Sequence, residues 1–165
     1  MTTTTGTAFD ADPEGRTPAA PEGPWSVRGT GRGRPALEVY EHGELLDVVV
    51  ASLLGPHLLS GARRCTTGGR PLALAWGRLP AGGGAPPVVE FTGGRLRPVR
   101  RRAPVVPVSG AFWLAWAQGR FAAVTVREDA AQGGAAAERL RLRRARAASG
   151  TADGRATGST SGGAA

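Results

Sequence analysis

Side chains able to do covalent or metal chemistry are few and scattered in this chain of 165 residues. His42 and Glu44 form an H-x-E triplet, which in zinc deaminases needs a downstream P-C-x-x-C to complete the metal shell. Cys65 is the only cysteine, so neither that shell nor an intrachain disulfide is available. His42, His57 and Cys65 have no recognised zinc-ligand spacing. Cys65 follows Arg63 and Arg64, and two cations beside a thiol raise its thiolate fraction. A nucleophilic cysteine also needs an oriented base, for which only His42 and His57 exist. Ser109–Gly110 lacks the G-x-S-x-G frame of a nucleophile elbow. Glu38, Glu41, Glu44 and Asp47 cluster around a turn, as a solvated face does. Gly29–Arg34 (GTGRGR) follows a strand but leads into Pro35 and another strand. No helix N-terminus is there to face a phosphate, and no Lys exists for the Walker role. The residue types therefore predict a protein that is not an enzyme and uses no cofactor or metal.

What remains for chemistry is charge and aromatic surface. Arg95, Arg97, Arg100, Arg101 and Arg102 lie within RLRPVRRR, and Arg139, Arg141, Arg143 and Arg144 within RLRLRRAR. Guanidinium groups suit bidentate contact with phosphate or carboxylate. Trp113 and Trp116 sit in the apolar run FWLAWAQ, where alternation sends Phe112 and Trp113 to opposite faces. One of that pair is then expected on an outer surface, and aromatics beside Arg grip protein partners or stack bases. The expected function is an interaction or accessory role, with an acidic protein partner held on an Arg/Trp surface. The alternative is nucleic acid held by the two Arg clusters, although no recognition helix, zinc finger or RNP motif accompanies them.

Composition qualifies the charge argument. The chain contains no Lys, Asn or Ile, and all 21 basic residues are Arg. The codons of the missing residues begin with AA or AU, which points to a high-GC genome of the actinobacterial kind. The net charge of +8 divides as −3 over residues 1–23, +7 over 24–129 and +4 thereafter. An acidic arm beside a basic body is placed to screen it electrostatically. Residues 1–23 and 150–165 lack core-forming side chains and read as disordered tails. The longest apolar run, Leu45–Leu54, is broken by Asp47 and Ser52 and has about half the length of a bilayer span. The start has neither a basic nor an apolar stretch of secretory type. No membrane insertion and a cytoplasmic location are expected.

Such a binding surface needs a scaffold, and the pattern predicts a small antiparallel β domain over 24–129, a sandwich or partly open barrel of hairpins. Four Gly-centred hairpins are expected: Leu37–Val50, Leu72–Leu79, Val88–Val99 and Phe112–Val126. The second and fourth look alike (LALAWGRL beside FWLAWAQGRFA), as a repeated unit would. His42–Gly43 and Gly93–Gly94 supply the positive backbone angles of tight turns. Pro104 and Pro107 flank Val105–Val106 and mark an edge strand. Leu45–Leu54 fits either a strand or a helical face; three consecutive Val favour a strand to about Ala51, followed by a turn of helix. Segment 130–149 is basic and Ala/Arg-rich, and Ala135–Ala148 is a helix candidate on propensity. Its Leu140 and Leu142 form no i, i+4 stripe.

Overall fold

The computed structural model describes residues 23–30, 34–51, 57–80, 85–94, 98–128 and 137–145. Both predicted tails, the predicted helical turn after Ala51, and Arg95 and Arg97 lie outside the described residues. Twelve strands and no helix occupy the described chain. They are β1 (Trp25–Thr30), β2 (Ala36–Glu41), β3 (Glu44–Val50), β4 (Leu59–Thr67), β5 (Arg70–Arg78), β6 (Val88–Gly93), β7 (Val99–Ala103), β8 (Val105–Val108), β9 (Phe112–Gln118), β10 (Ala123–Arg127), β11 (Glu138–Arg141) and β12 (Arg143–Arg144). The molecule is mainly β, as the pattern predicts, and its three sheets are open: none closes into a barrel. Their strand orders are β1-β2-β3, β12-β4-β5-β9-β8 and β11-β10-β6-β7.

The five-stranded sheet is the middle layer. On β5, Leu72, Leu74 and Trp76 pack with Trp25, Val27, Leu37 and Val39 of the three-stranded sheet. Between them Ala73 and Ala75 face the four-stranded sheet, where Val89, Phe91, Val124 and Val126 lie. Strand β9 repeats the arrangement, with Phe112 and Leu114 on one side and Trp113, Ala115 and Ala117 on the other. Period-2 alternation thus sorts large side chains to one face and mostly small ones to the other, and both faces are covered. This corrects the expectation that Phe112 or Trp113 is exposed: both are wholly buried.

Two of the four predicted hairpins form, although the return strand of the second begins at Val99, where its predicted span ends. The β2–β3 turn has His42 at φ 53° and Gly43 at φ 82°, a left-handed pair that matches strand twist. Strands β6 and β7 pair antiparallel from Gly93↔Val99 to Val89↔Ala103. Strand β8 is an edge strand, with Pro107 opposite Trp113.

Two predicted hairpins are corrected. Leu72–Leu79 contains no turn, because β5 runs through Gly77 to Arg78. A side chain on Gly77 would collide with the backbone oxygen of Leu58, so this glycine permits a close approach of chains. The turn that feeds β5 is Gly68–Gly69, with φ 55° and 76°. Phe112–Val126 is likewise no hairpin, since β9 and β10 belong to different sheets. The similar sequences of β5 and β9 are antiparallel neighbours, with Leu74 opposite Trp116 and Trp76 opposite Leu114.

The predicted C-terminal helix is also replaced, over its described part, by strands. Strand β11 pairs antiparallel with β10 from Glu138↔Val126 to Arg141↔Ala123, and β12 pairs parallel with β4. Leu142 is buried where the chain crosses between the two sheets. Glu138 accepts hydrogen bonds from the Leu58 and Leu59 amides at 2.7 and 3.0 Å. Helix propensity differs by only tenths of a kcal/mol per residue; ladder bonds, a buried Leu and a satisfied carboxylate outweigh it.

Candidate polyanion-binding face

Parts of the two Arg clusters, distant in sequence, flank one sheet. In the four-stranded sheet the inner residues are those opposite buried Val89, Phe91, Val124 and Val126. Their neighbours point outward. Outward on β7 are Arg100 and Arg102, which pair with Thr92 and Glu90 of β6. Outward on β10 are Ala123, Thr125 and Arg127, opposite Thr92, Glu90 and Val88. Outward on β11 are Arg139 and Arg141, opposite Thr125 and Ala123. Two rows of the outer face can be read straight across: Arg139, Thr125, Glu90, Arg102, and then Arg141, Ala123, Thr92, Arg100.

Strand spacing sets the dimensions. Three inter-strand steps separate the β7 and β11 arginines by about 14 Å, and i, i+2 neighbours along a strand lie about 7 Å apart. Between the two Arg edges runs a shallow groove of about 370 Å³, whose lining includes Thr92, Gly93 and Thr125 together with Arg100, Arg127 and Arg139. Glu90 is the one carboxylate on the paired outer positions, and it meets Arg100 at 3.5 Å. Arg100, Arg102, Arg127, Arg139 and Arg141 are all exposed. Five cations over a single anion leave a strongly positive open face.

A second feature adjoins this face at the β7 edge. Strand β8 pairs with β9 only up to Val105↔Ala115, so Trp116, Ala117 and Gln118 extend beyond it. A cleft of about 830 Å³ opens there, lined by Arg70, Arg101, Arg102, Pro104, Trp116 and Gln118 among others. Arg101 pairs with buried Phe91 and so lies on the inner side of β7; its guanidinium donates to the Gln118 carbonyl at 3.1 Å. Trp116 is half-buried against the core shared with the three-stranded sheet.

The other predicted site residues fall elsewhere. Trp113 is in the core, its indole N–H donating to the Leu58 carbonyl at 3.0 Å, so it offers a partner no surface. Arg143 and Arg144 pair with Arg63 and Arg64 at an edge of the middle sheet and do not belong to the sheet that carries Arg139 and Arg141. Arg127, Thr92 and Thr125 are members of this face that sequence reasoning missed. Their signal was the i, i+2 spacing of polar residues on β6 and β10, which acquires meaning only once strand pairing is known.

The scattered reactive groups stay apart. Exposed His42 is in a turn, exposed His57 lies 3.8 Å from Glu138, and Cys65 contacts Thr67 at 3.5 Å. No group of three His, Cys, Asp or Glu side chains poised for a metal occurs among the described residues. Nor is any helix among them long and apolar enough to cross a membrane.

On the outer face of the three-stranded sheet, Tyr40 donates to Glu38 at 2.6 Å, and Arg28 lies 5.3 Å from the ring centroid. The hydrogen bond to the Glu38 carboxylate, with smaller contributions from desolvation and the Glu38 charge, raises the Tyr40 phenol above its ordinary pKa. The sign follows: the bond is present below the unfolded phenol's pKa and is lost as pH rises through the folded one. Tyr40 is the sole tyrosine, so the phenolate absorbance of the intact protein reports it alone. Its midpoint should lie above that of the unfolded chain, and Glu38→Ala should bring it down. A midpoint unchanged by Glu38→Ala would remove this pairing.

In comparisons with protein-family models, curated proteins and solved structures, no match to this chain was found.

Proposed function

We propose that this protein is a non-catalytic binding protein that holds nucleic acid on the outer face of its four-stranded sheet. The observation that carries the reading is the convergence of Arg100 and Arg102 with Arg139 and Arg141 on opposite edges of one face, with Arg127 between them. A phosphate chain needs cations and hydroxyl donors, and Arg, Thr92 and Thr125 provide both. A protein partner needs in addition a buried apolar or aromatic anchor. The outward positions on this face are Arg, Thr, Glu and the buried Ala123 and Val88. That composition, together with the burial of Trp113, turns the preference from an acidic protein to a phosphate polymer. A cytoplasmic setting, where such polymers abound, accords with the proposal.

The test is the salt dependence of oligonucleotide binding by the full chain, followed by fluorescence anisotropy. Each neutralised phosphate of a single strand contributes about −0.7 to the slope of log K against log salt. Five engaged arginines predict a slope of roughly −3 to −4. No binding at low salt, or binding indifferent to salt, would overturn the proposal. Tighter capture of polyglutamate than of the oligonucleotide would return the site to an acidic protein.

A further inference from the structure

We infer that the β4–β12 edge of the middle sheet is a second anion site, which takes a phosphate dianion between paired arginines and so latches β12 in place. The site stands apart from the proposed function and uses none of the arginines of the outer face. The two-residue strand β12 runs parallel to β4, with Arg143 beside Arg63 and Arg144 beside Arg64. Their neighbours fix which way each pair points. Ala62 and Leu142 belong to the core shared with the four-stranded sheet, whereas Cys65 and Ala145 pack against the core shared with the three-stranded sheet. Alternation therefore puts Arg64 and Arg144 together on the first side, and Arg63 and Arg143 together on the second.

Each pair starts two cationic side chains from strands about 4.8 Å apart. Like charges side by side on neighbouring strands cost stability. No carboxylate among the described residues pairs with any of the four. Arg63 and Arg64 each donate one bond to a backbone carbonyl, of Ala62 and Phe121, both at 3.2 Å. Arg143 and Arg144 bond to nothing among the described residues. A guanidinium carries five N–H donors, so most of the donors at this edge are unspent. The fold does not ask for them. Strand β12 is seated by buried Leu142 and by two backbone bonds that flank it. In these the Leu142 amide donates to the Ala122 carbonyl at 2.9 Å, and the Ala145 amide to the Arg64 carbonyl at 2.7 Å.

An anion that bridges adjacent arginines turns their repulsion into attraction. A phosphate group suits the task, because it carries close to two charges at neutral pH and offers several acceptor oxygens to guanidinium forks. A carboxylate, with one charge, balances only half of a pair. Arg64 is the best prepared of the four: it is exposed, its guanidinium is held on the Phe121 carbonyl, and exposed Arg144 lies alongside. Only Leu142 separates β12 from β11, so an anion that holds β12 on β4 also resists release of β11. Free phosphate and the terminal phosphate of a strand present the same group, and either fits the chemistry.

The experiment is hydrogen exchange of the full chain in inorganic phosphate and in chloride at equal ionic strength, read at the Leu142 and Ala145 amides. With phosphate at roughly twenty times its dissociation constant, their exchange should slow about twentyfold. The double variant Arg143→Gln with Arg144→Gln should exchange no faster than the unaltered protein in chloride, since repulsion is gone, and should lose the phosphate effect. A 5′-phosphorylated oligonucleotide beside its unphosphorylated twin separates the two sources. Extra slowing by the phosphorylated strand shows that a polymer end reaches the site, and equal slowing by both strands leaves free phosphate as the ligand. Equal exchange of the unaltered protein in phosphate and chloride would overturn the inference without needing any variant. So would a phosphate effect that survives in the double variant, because the anion would then act elsewhere. Failure of oligonucleotides to bind the outer Arg face bears on the proposed function alone.

Discussion

Exchange of Arg100, Arg102, Arg139 and Arg141 for Gln is expected to weaken oligonucleotide binding by several hundredfold at about 0.1 M salt. At that concentration a contact with a slope of about −0.7 is worth roughly fivefold, so four contacts multiply to roughly 600-fold. The salt slope should fall by about 3 in the same variant. These four side chains are exposed on an outer sheet face, so the melting temperature should move little, and relief of like-charge repulsion favours the variant if anything. Arg143→Gln with Arg144→Gln is the internal comparison. Those residues lie beside Arg63 and Arg64 on a different sheet edge, and their loss should leave most of the slope intact. A drop below about tenfold for the quadruple variant would mean that convergence of the two clusters is not what binds.

The largest stability effect is expected from Trp113→Ala. Trp113 is wholly buried between the middle and four-stranded sheets. Its indole N–H shares the Leu58 carbonyl with the Arg78 amide at 3.0 and 2.9 Å. Truncation opens a cavity bounded by sheets that cannot collapse independently, which places the cost at about 3–5 kcal/mol. Against a total stability of about 5–15 kcal/mol, that is enough to leave much of the protein unfolded at moderate temperature. Urea denaturation followed by circular dichroism measures it. A loss below about 1 kcal/mol would be that of a surface residue and would remove Trp113 from the core.

Much of the scaffold was legible where local chemistry leaves no choice. His42–Gly43 announces a turn, and two prolines announce the β8 edge; of the Gly93–Gly94 pair only Gly94, at φ 85°, has the positive angle, while Gly93 ends β6 as a strand residue. Legibility failed where a residue type serves two ends. Gly77 looks like a turn glycine but lets Leu58 approach β5. Strand β4 (LSGARRCTT) has little alternation, since Arg63, Arg64 and Cys65 interrupt it and only pairing with β5 makes it a strand. The Ala/Arg segment reads as a helix because Ala favours one, whereas Leu142 and Glu138 are claimed by partners far away in sequence. For the site, the two Arg clusters were visible as clusters, and Trp116 as an aromatic. That Arg100 and Arg102 share a face with Arg139 and Arg141, and that Trp113 does not join them, depends on strand order, which no local pattern encodes.

The strap formed by β11 and β12 bears on the time course of folding. Glu138 reaches back 80 residues to the Leu58 amide, and β12 completes an edge of the sheet that contains β4. Contacts of such separation raise contact order and slow folding, because the entropy of closing the intervening loop is lost before the contact forms. During synthesis, β4 and β10 therefore wait with bare edges, the state most open to pairing with a neighbouring chain. Arg139 and Arg141 arrive on that same last segment. Two of the five arginines of the positive face come into place only as β11 docks, so under the proposed function polyanion capture would report that this docking has occurred, and a bound polyanion would in turn slow the strap's local release.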